Sequence, residues 1–178
     1  MNFIAILSLL VTLIFNFIYP KLYGVSVGQV SDKTKLDVTP HKYTFSIWGL
    51  IYLGLIILVF FKNNWTSKSI YLFVFSCILN SLWIIFWTKK PFNNNNIYIA
   101  NIVLLLLTGC LLTLWIANLR TNGNTLSYNV LFQNIIALYL AWCISATLLN
   151  TAISLKTLDV SRDITNYFVI IGLCITHI

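Results

Sequence analysis

Five runs of largely apolar residues divide this chain: Phe3–Tyr19, Phe45–Phe61, Ile70–Trp87, Ile97–Ala117 and Val130–Ser154. Each comes close to or exceeds the roughly 20 residues an α-helix needs to cross a bilayer, and all are far longer than the roughly 9–11 residues of a barrel strand. Inside hydrocarbon a backbone must pair its own N–H and C=O groups, so runs of this length form helices. Composition closes off the aqueous alternative. The 178 residues are 59% hydrophobic and 8% charged, against roughly 45–50% and about 25% in ordinary soluble domains. The expected fold is an all-α membrane protein, a bundle of five transmembrane helices.

A sixth apolar stretch, Tyr167–Ile178, is short of a crossing and reads as a span cut short or a segment lying at the interface. The chain is therefore expected to divide into a five-helix transmembrane domain over residues 1–154 and a C-terminal extension over 155–178. The first run has no basic residue before its apolar core and is followed by Pro20 and Lys21 instead of a small-residue cleavage site, which favours a span over a secretory signal. The longest connection, Pro20–Thr44, holds most of the polar residues of the first third. Asn93–Asn96 reads as a low-complexity spacer after Pro91. Asn64-Trp65-Thr66 matches a glycosylation acceptor but sits in a tight loop too close to the membrane to rely on.

Lysine and arginine are distributed unevenly over the connections. Lys21, Lys33, Lys35, Lys42, Lys89, Lys90, Lys156 and Arg162 fall in the first, third and fifth, and Lys62, Lys68 and Arg120 in the second and fourth. This excess predicts a cytosolic first loop and an N-terminus outside. It also explains the net charge of +7 without a nucleic-acid partner, because the charges are dispersed along membrane-edge loops instead of forming a basic patch.

The acidic side is thin: Asp32, Asp37, Asp159 and Asp163 are the only carboxylates, and no Asp, Glu or His lies within the five spans. Paired-carboxylate hydrolysis and conventional acid–base chemistry at depth have nothing to work with, and no catalytic residue is assigned. Cys77, Cys110, Cys143 and Cys174 lie in apolar stretches with no metal-site or disulfide spacing. They read as small buried hydrophobes, and no metal ligand is assigned.

Polar and aromatic side chains in hydrocarbon are costly unless they face a partner or a cavity. In the third span Asn80, Trp83 and Trp87 share one helical face, and in the fifth Tyr139, Trp142, Ala146 and Asn150 do the same, while the second offers Trp48 and Tyr52 one turn apart. Trp65 and Trp115, near span ends, read as interfacial belt residues. For the other stripes, spacing leaves two alternatives, a pocket for flat apolar ligands or plain helix packing. Ala137, Ala141 and Ser145 add a small-residue ridge that permits close approach within the bundle or between two copies.

These residues carry a resemblance to a known family. The stretch Ala137-Leu-Tyr-Leu-Ala-Trp-Cys-Ile-Ser-Ala-Thr-Leu-Leu-Asn150 resembles the fifth-helix signature of the TspO/MBR family, the tryptophan-rich sensory proteins. Asn80-Ser-Leu-Trp83-Ile-Ile-Phe86 resembles that family's third helix, and Phe45-Ser-Ile-Trp48-Gly-Leu-Ile-Tyr52, after the Pro40 loop, resembles its second. The resemblance implies a five-helix bundle, usually a homodimer, that binds tetrapyrroles such as protoporphyrin, sterols and synthetic isoquinoline- or benzodiazepine-type ligands. The pocket it implies opens toward the first loop and involves Trp48, Asn80, Trp83, Trp142, Ala146 and Asn150, with the loop as its lid. Tyr52, Trp87 and Tyr139 share the same stripes and complete the candidate ligand-binding set. Trp48 and Trp142 correspond to tryptophans implicated in porphyrin photochemistry. The chain departs from the family in having Ser46-Ile47 where a proline commonly precedes the second-helix tryptophan. No tyrosine lies between Asn150 and Lys156, so the proposed sterol-recognition pattern is absent and porphyrin is favoured over sterol. The segment after Ser154 is more like a longer, divergent tryptophan-rich branch.

The functional expectation is an integral membrane binding protein, sensor- or transporter-like, for flat hydrophobic ligands. Its partners are the lipid bilayer and a porphyrin or haem taken as ligand; no cofactor is required. A porphyrin-degrading enzyme using tryptophans and a small-solute carrier are the alternatives. The carrier is disfavoured by the absence of intramembrane charges and of paired broken helices.

Overall fold

The computed structural model describes residues 3–60, 65–91, 93–119 and 126–176. Five stretches among them are long and apolar enough to cross a membrane: Phe3–Leu22, Tyr43–Phe60, Ser67–Thr88, Asn94–Asn118 and Val130–Lys156. They correspond to α1 (Phe3–Phe17) continued by α2 (Tyr19–Leu22), then α4 (Ile47–Phe60), α5 (Ser67–Thr88), α6 (Asn94–Leu119) and α7 (Leu126–Lys156). Between α2 and α4 lie α3 (Val27–Lys33) and a 3-10 turn (Lys42–Ser46), and α8 (Arg162–Thr176) follows α7. The spans coincide with the apolar runs to within a few residues, because apolar length is what commits a segment to hydrocarbon.

Helix α5 lies in the middle of the bundle, packed on both α1 and α6, while α7 packs on α4, α6 and α8. Phe73, Leu104, Leu107, Leu111 and Ile136 are fully buried between these helices. The opposite faces are no less apolar: Leu10 and Ile14 of α1, Leu53 of α4, Ile78 of α5 and Ile102 of α6 are all exposed. A helix apolar all round belongs in lipid, where the outer face needs no polar cover. Hydroxyls and amides join the helices from within. Thr108 and Thr147 lie 2.9 Å apart across α6 and α7, and Thr151 donates to Asn101 at 3.2 Å, the interhelical polar contacts that hold membrane bundles together where hydrophobicity cannot.

Three segments differ from the sequence expectation. The long first connection is partly helical: Ser26 and Gln29 form a reciprocal capping box that starts α3, and Val30 and Leu36 are buried in the core. Asn93 accepts a bond from the Asn96 N–H at 2.8 Å, so the asparagine run helps start α6 instead of acting as a spacer. The C-terminal helix begins at Arg162, five residues before the apolar stretch at Tyr167, and lays Thr165 and Val169 against the bundle while Tyr167 and Ile171 stay exposed. At 15 residues it is shorter than a crossing. Cys77, Cys110 and Cys143 are buried as expected, whereas Cys174, on α8, is exposed. Asn64 of the glycosylation triplet lies outside the described residues.

The first, third and fifth connections meet at one end. Gly24 pairs with Lys89, and Val25 N–H donates to the Thr88 carbonyl at 3.1 Å. Gly24 is required there, since a Cβ would stand 2.6 Å from that same carbonyl oxygen.

Candidate functional site

Each stripe seen in the sequence sits on a different helix, and α4, α5 and α7 turn them toward one another. Trp48 of α4 is the hub. It stacks on Tyr52 at 5.5 Å and tilts against Trp83 of α5 at 5.6 Å. Tyr139 and Trp142 of α7 meet it edge-on at 5.9 and 6.2 Å. Trp83 stacks with Trp87 at 6.3 Å, and Phe45 closes edge-on against Trp142 at 6.0 Å. These are the offset and T-shaped separations that aromatic quadrupoles favour.

The nine sequence candidates separate into two layers. Trp48, Trp83, Trp87, Trp142, Ala146 and Asn150 line one cavity, together with Phe45, Leu149, Ile153 and three residues of the first connection, Val27, Ser31 and Thr39. Tyr52, Asn80 and Tyr139 are not part of that lining; they lie one helical turn farther from the first connection, in a hydrogen-bonded knot. Fully buried Asn80 accepts from Asn16 Nδ2 at 2.7 Å and from the Tyr52 hydroxyl at 3.3 Å, and donates to the Tyr139 hydroxyl at 2.8 Å. The knot thereby ties α1, α4, α5 and α7 together.

The cavity itself is narrow, with about 30 Å³ of free space, room for a water or two. Its polar groups are unusual. The indole N–H groups of Trp83, Trp87 and Trp142 and the amide nitrogen of Asn150 are buried and have no hydrogen-bond partner among the described residues. Buried donors in native proteins are nearly always paired, so these four stand out against the satisfied knot below. Among the described residues no charged side chain lines the cavity.

The first connection covers this chamber and is clasped from the C-terminal side. Arg162 pairs bidentately with the Asp37 carboxylate, its Nε at 2.7 Å, and Asn166 donates to the same group at 2.8 Å. Lys156 Nζ donates to the Lys35 carbonyl at 3.0 Å. The hydrogen bonds from Arg162 and Asn166 hold the Asp37 carboxyl below its ordinary value, and the same pairing raises Arg162. A recess of about 560 Å³, lined by Lys35, Lys156, Asp159 and Arg162 among others, opens beside the clasp.

Two features of the site escaped the sequence reading. Asn16, the amide that completes the knot, is itself a polar residue inside an apolar run, and that cost was the available signal. Ser31 and Thr39 carried none, because their approach to α5 and α7 depends on the folding of the first connection.

The family model described as TSPO-like protein matches residues 2–178, the extension after Ser154 included. Neither curated proteins nor solved structures yielded a match. With a five-span apolar bundle, the stripes of α4, α5 and α7 turned inward, and a match over nearly its whole length, the chain belongs to the TSPO-like protein family.

Proposed function

We propose that this multi-pass membrane protein binds a flat hydrophobic ligand, a tetrapyrrole such as protoporphyrin, in the chamber between α4, α5 and α7. The observation that carries this reading is the chamber wall, four tryptophans and Phe45 around one cavity under a separately clasped loop. Planar ligands stack on such surfaces, and pockets that hold drug-sized molecules enclose roughly 300–1,000 Å³. Because the cavity holds about 30 Å³, binding requires the first connection to lift and the indoles to swing apart. Binding is favoured over degradation because, among the described residues, the wall contains no carboxylate, imidazole, amine, phenol or thiol.

The test is titration of the purified protein with protoporphyrin while tryptophan fluorescence is followed. Four of the six tryptophans line the chamber, so micromolar porphyrin should quench most of the emission, and Trp142→Phe should weaken the quenching. Unchanged emission across that range would remove the proposal.

The clasped end is proposed to face the cytosol, with the N-terminus outside, on the lysine and arginine excess of the connections gathered there. Lys35→Cys, in a background from which the exposed Cys174 has been replaced by serine, should react with an impermeant maleimide only after the cells are opened; labelling in intact cells would invert the orientation.

A further inference from the structure

The recess of about 560 Å³ beside the clasp draws its rim from two distant parts of the chain, Lys35 of the first connection and Lys156, Asp159 and Arg162 around the junction of α7 and α8. That junction turns sharply. Val160 N–H donates to the Leu155 carbonyl and Asp159 N–H to that of Lys156, both at 3.2 Å, with Asp159 in the left-handed region at φ 60°. This pattern closes the last carbonyls of a helix on the residues that follow it, and it sets Lys156 and Arg162 on the same rim. Arg162 uses Nε and one Nη on Asp37, and Lys156 gives the Lys35 carbonyl one of its three protons, which leaves both with donors to spare. Three cations against Asp159 and the clasped Asp37 leave the recess with one net positive charge.

Directly below the rim the surface faces hydrocarbon. Helix α8 turns back along α7, so close that a Cβ on Gly172 would stand 2.6 Å from the Leu148 side chain. Leu148 precedes Lys156 by eight residues, about 12 Å down a helix at 1.5 Å per residue, and lies inside the fifth span. Thr165 and Val169 are buried, whereas Ile164, Tyr167, Phe168 and Ile171 share an exposed apolar face. A basic recess therefore sits at the polar end of a lipid-facing helix, the level at which phospholipid headgroups lie.

We propose that the recess holds the phosphate of an acidic phospholipid whose acyl chains run along the outer face of α8. Charge complementarity selects the headgroup. One phosphate diester cancels the net positive charge, whereas a choline or ethanolamine lipid returns an ammonium to the neighbourhood of Lys35, Lys156 and Arg162. Asp159 accepts from a hydroxylated headgroup such as glycerol. The phosphate spans the first connection and the α7–α8 junction, so it adds to the clasp already made by Arg162 and Asp37.

The experiment is native mass spectrometry of the delipidated full chain in detergent, incubated with equal amounts of phosphatidylglycerol, phosphatidylethanolamine and phosphatidylcholine. Phosphatidylglycerol should fill one site at least about ten-fold more tightly than the others, the scale set by one or two cationic contacts at a membrane surface. Lys35→Gln combined with Lys156→Gln should abolish that preference. Lys21→Gln combined with Lys90→Gln removes the same charge from the same end of the bundle and should retain it. Equal binding of the three lipids overturns the proposal, and so does an equal loss in both double variants, which would make the preference a diffuse surface effect. Glycerol phosphate, the soluble headgroup, should compete weakly; competition as strong as that of the lipid would replace the lipid site with a soluble phosphate site. Acetylation of the wild-type protein, free of any folding defect, supplies a second reading: phosphatidylglycerol should slow modification of Lys35 and Lys156 more than of Lys21 and Lys90. Uniform slowing overturns the assignment to the recess.

Discussion

Asn80 and Asn150 occupy neighbouring layers of the same bundle, each buried among aromatic side chains, and their fates are opposite. Asn80 has its amide paired on both sides, to Asn16, Tyr52 and Tyr139. The Asn150 amide nitrogen, together with three indole N–H groups, has no partner among the described residues. The difference teaches that burial of a polar residue in a membrane helix has two meanings. A saturated amide holds helices together, whereas an amide nitrogen left unpaired beside a cavity ties no helix to another among the described residues.

The largest expected break in that comparison is Asn80→Leu. Interhelical hydrogen bonds in membrane proteins average about 0.6 kcal/mol, so losing the three made by Asn80 should cost about 2 kcal/mol. For a chain of this size that lowers the thermal midpoint in detergent by roughly 4–8 °C. An unchanged midpoint would show that the knot contributes nothing to stability.

Asn150→Leu sharpens the contrast from the other side. Replacing an amide whose buried nitrogen is unpaired by an apolar group is nearly neutral or stabilising, so the midpoint should stay within about 2 °C of wild type or rise. Ligand affinity should nonetheless fall. A loss of stability as large as that of Asn80→Leu would mean that Asn150 is structural too.

Tyr52→Phe is a smaller probe of the knot. It deletes only the hydroxyl that donates to Asn80 at 3.3 Å, leaving the ring stacked on Trp48. The expected cost is below about 1 kcal/mol, a downward shift of roughly 1–3 °C.

The smallest effect on global stability is expected at the clasp, which is exposed to solvent. Asp37→Asn should leave the midpoint almost unchanged but speed protoporphyrin quenching, because it frees the first connection from Arg162. The pH dependence follows from the lowered Asp37 value. A carboxylate whose folded pKa lies below the unfolded 3.8 contributes in full above 3.8 and loses its contribution as pH falls through the lower folded value. Pepsin cleavage within the first connection should therefore be slower in wild type than in Asp37→Asn near pH 4. The two rates should converge in stronger acid, and a constant ratio would place the restraint elsewhere.

Much of the architecture was legible because apolar length is a local property. The five spans needed no knowledge of their neighbours. The stripes that face the chamber were legible too, since helical spacing sets which residues share a face. What spacing could not reveal was the division of Tyr52, Asn80 and Tyr139 from Trp83, Trp87, Trp142 and Asn150. The motifs look alike along the chain, and only the arrival of Asn16 from α1 and the alignment of two hydroxyls saturate one amide and not the other. The capping box at Ser26 and Gln29 was readable by its spacing, yet where α3 packs was not, because Val30 and Leu36 find their burial only against other helices.

By itself, then, the sequence determined that this chain lives in a membrane as five helices, that its basic residues gather in alternate connections, and that its tryptophans and amides lie on helical faces. These follow from transfer free energies and helical periodicity, which act within a segment. Tertiary structure alone decided that the Asn80 amide is bonded while the Asn150 amide nitrogen has no partner among the described residues, that the first connection roofs the chamber, and that α8 reaches back through Arg162 and Asn166 to hold Asp37. A hydrogen bond needs its partner within about 3 Å, and for these groups the partner comes from a distant part of the chain.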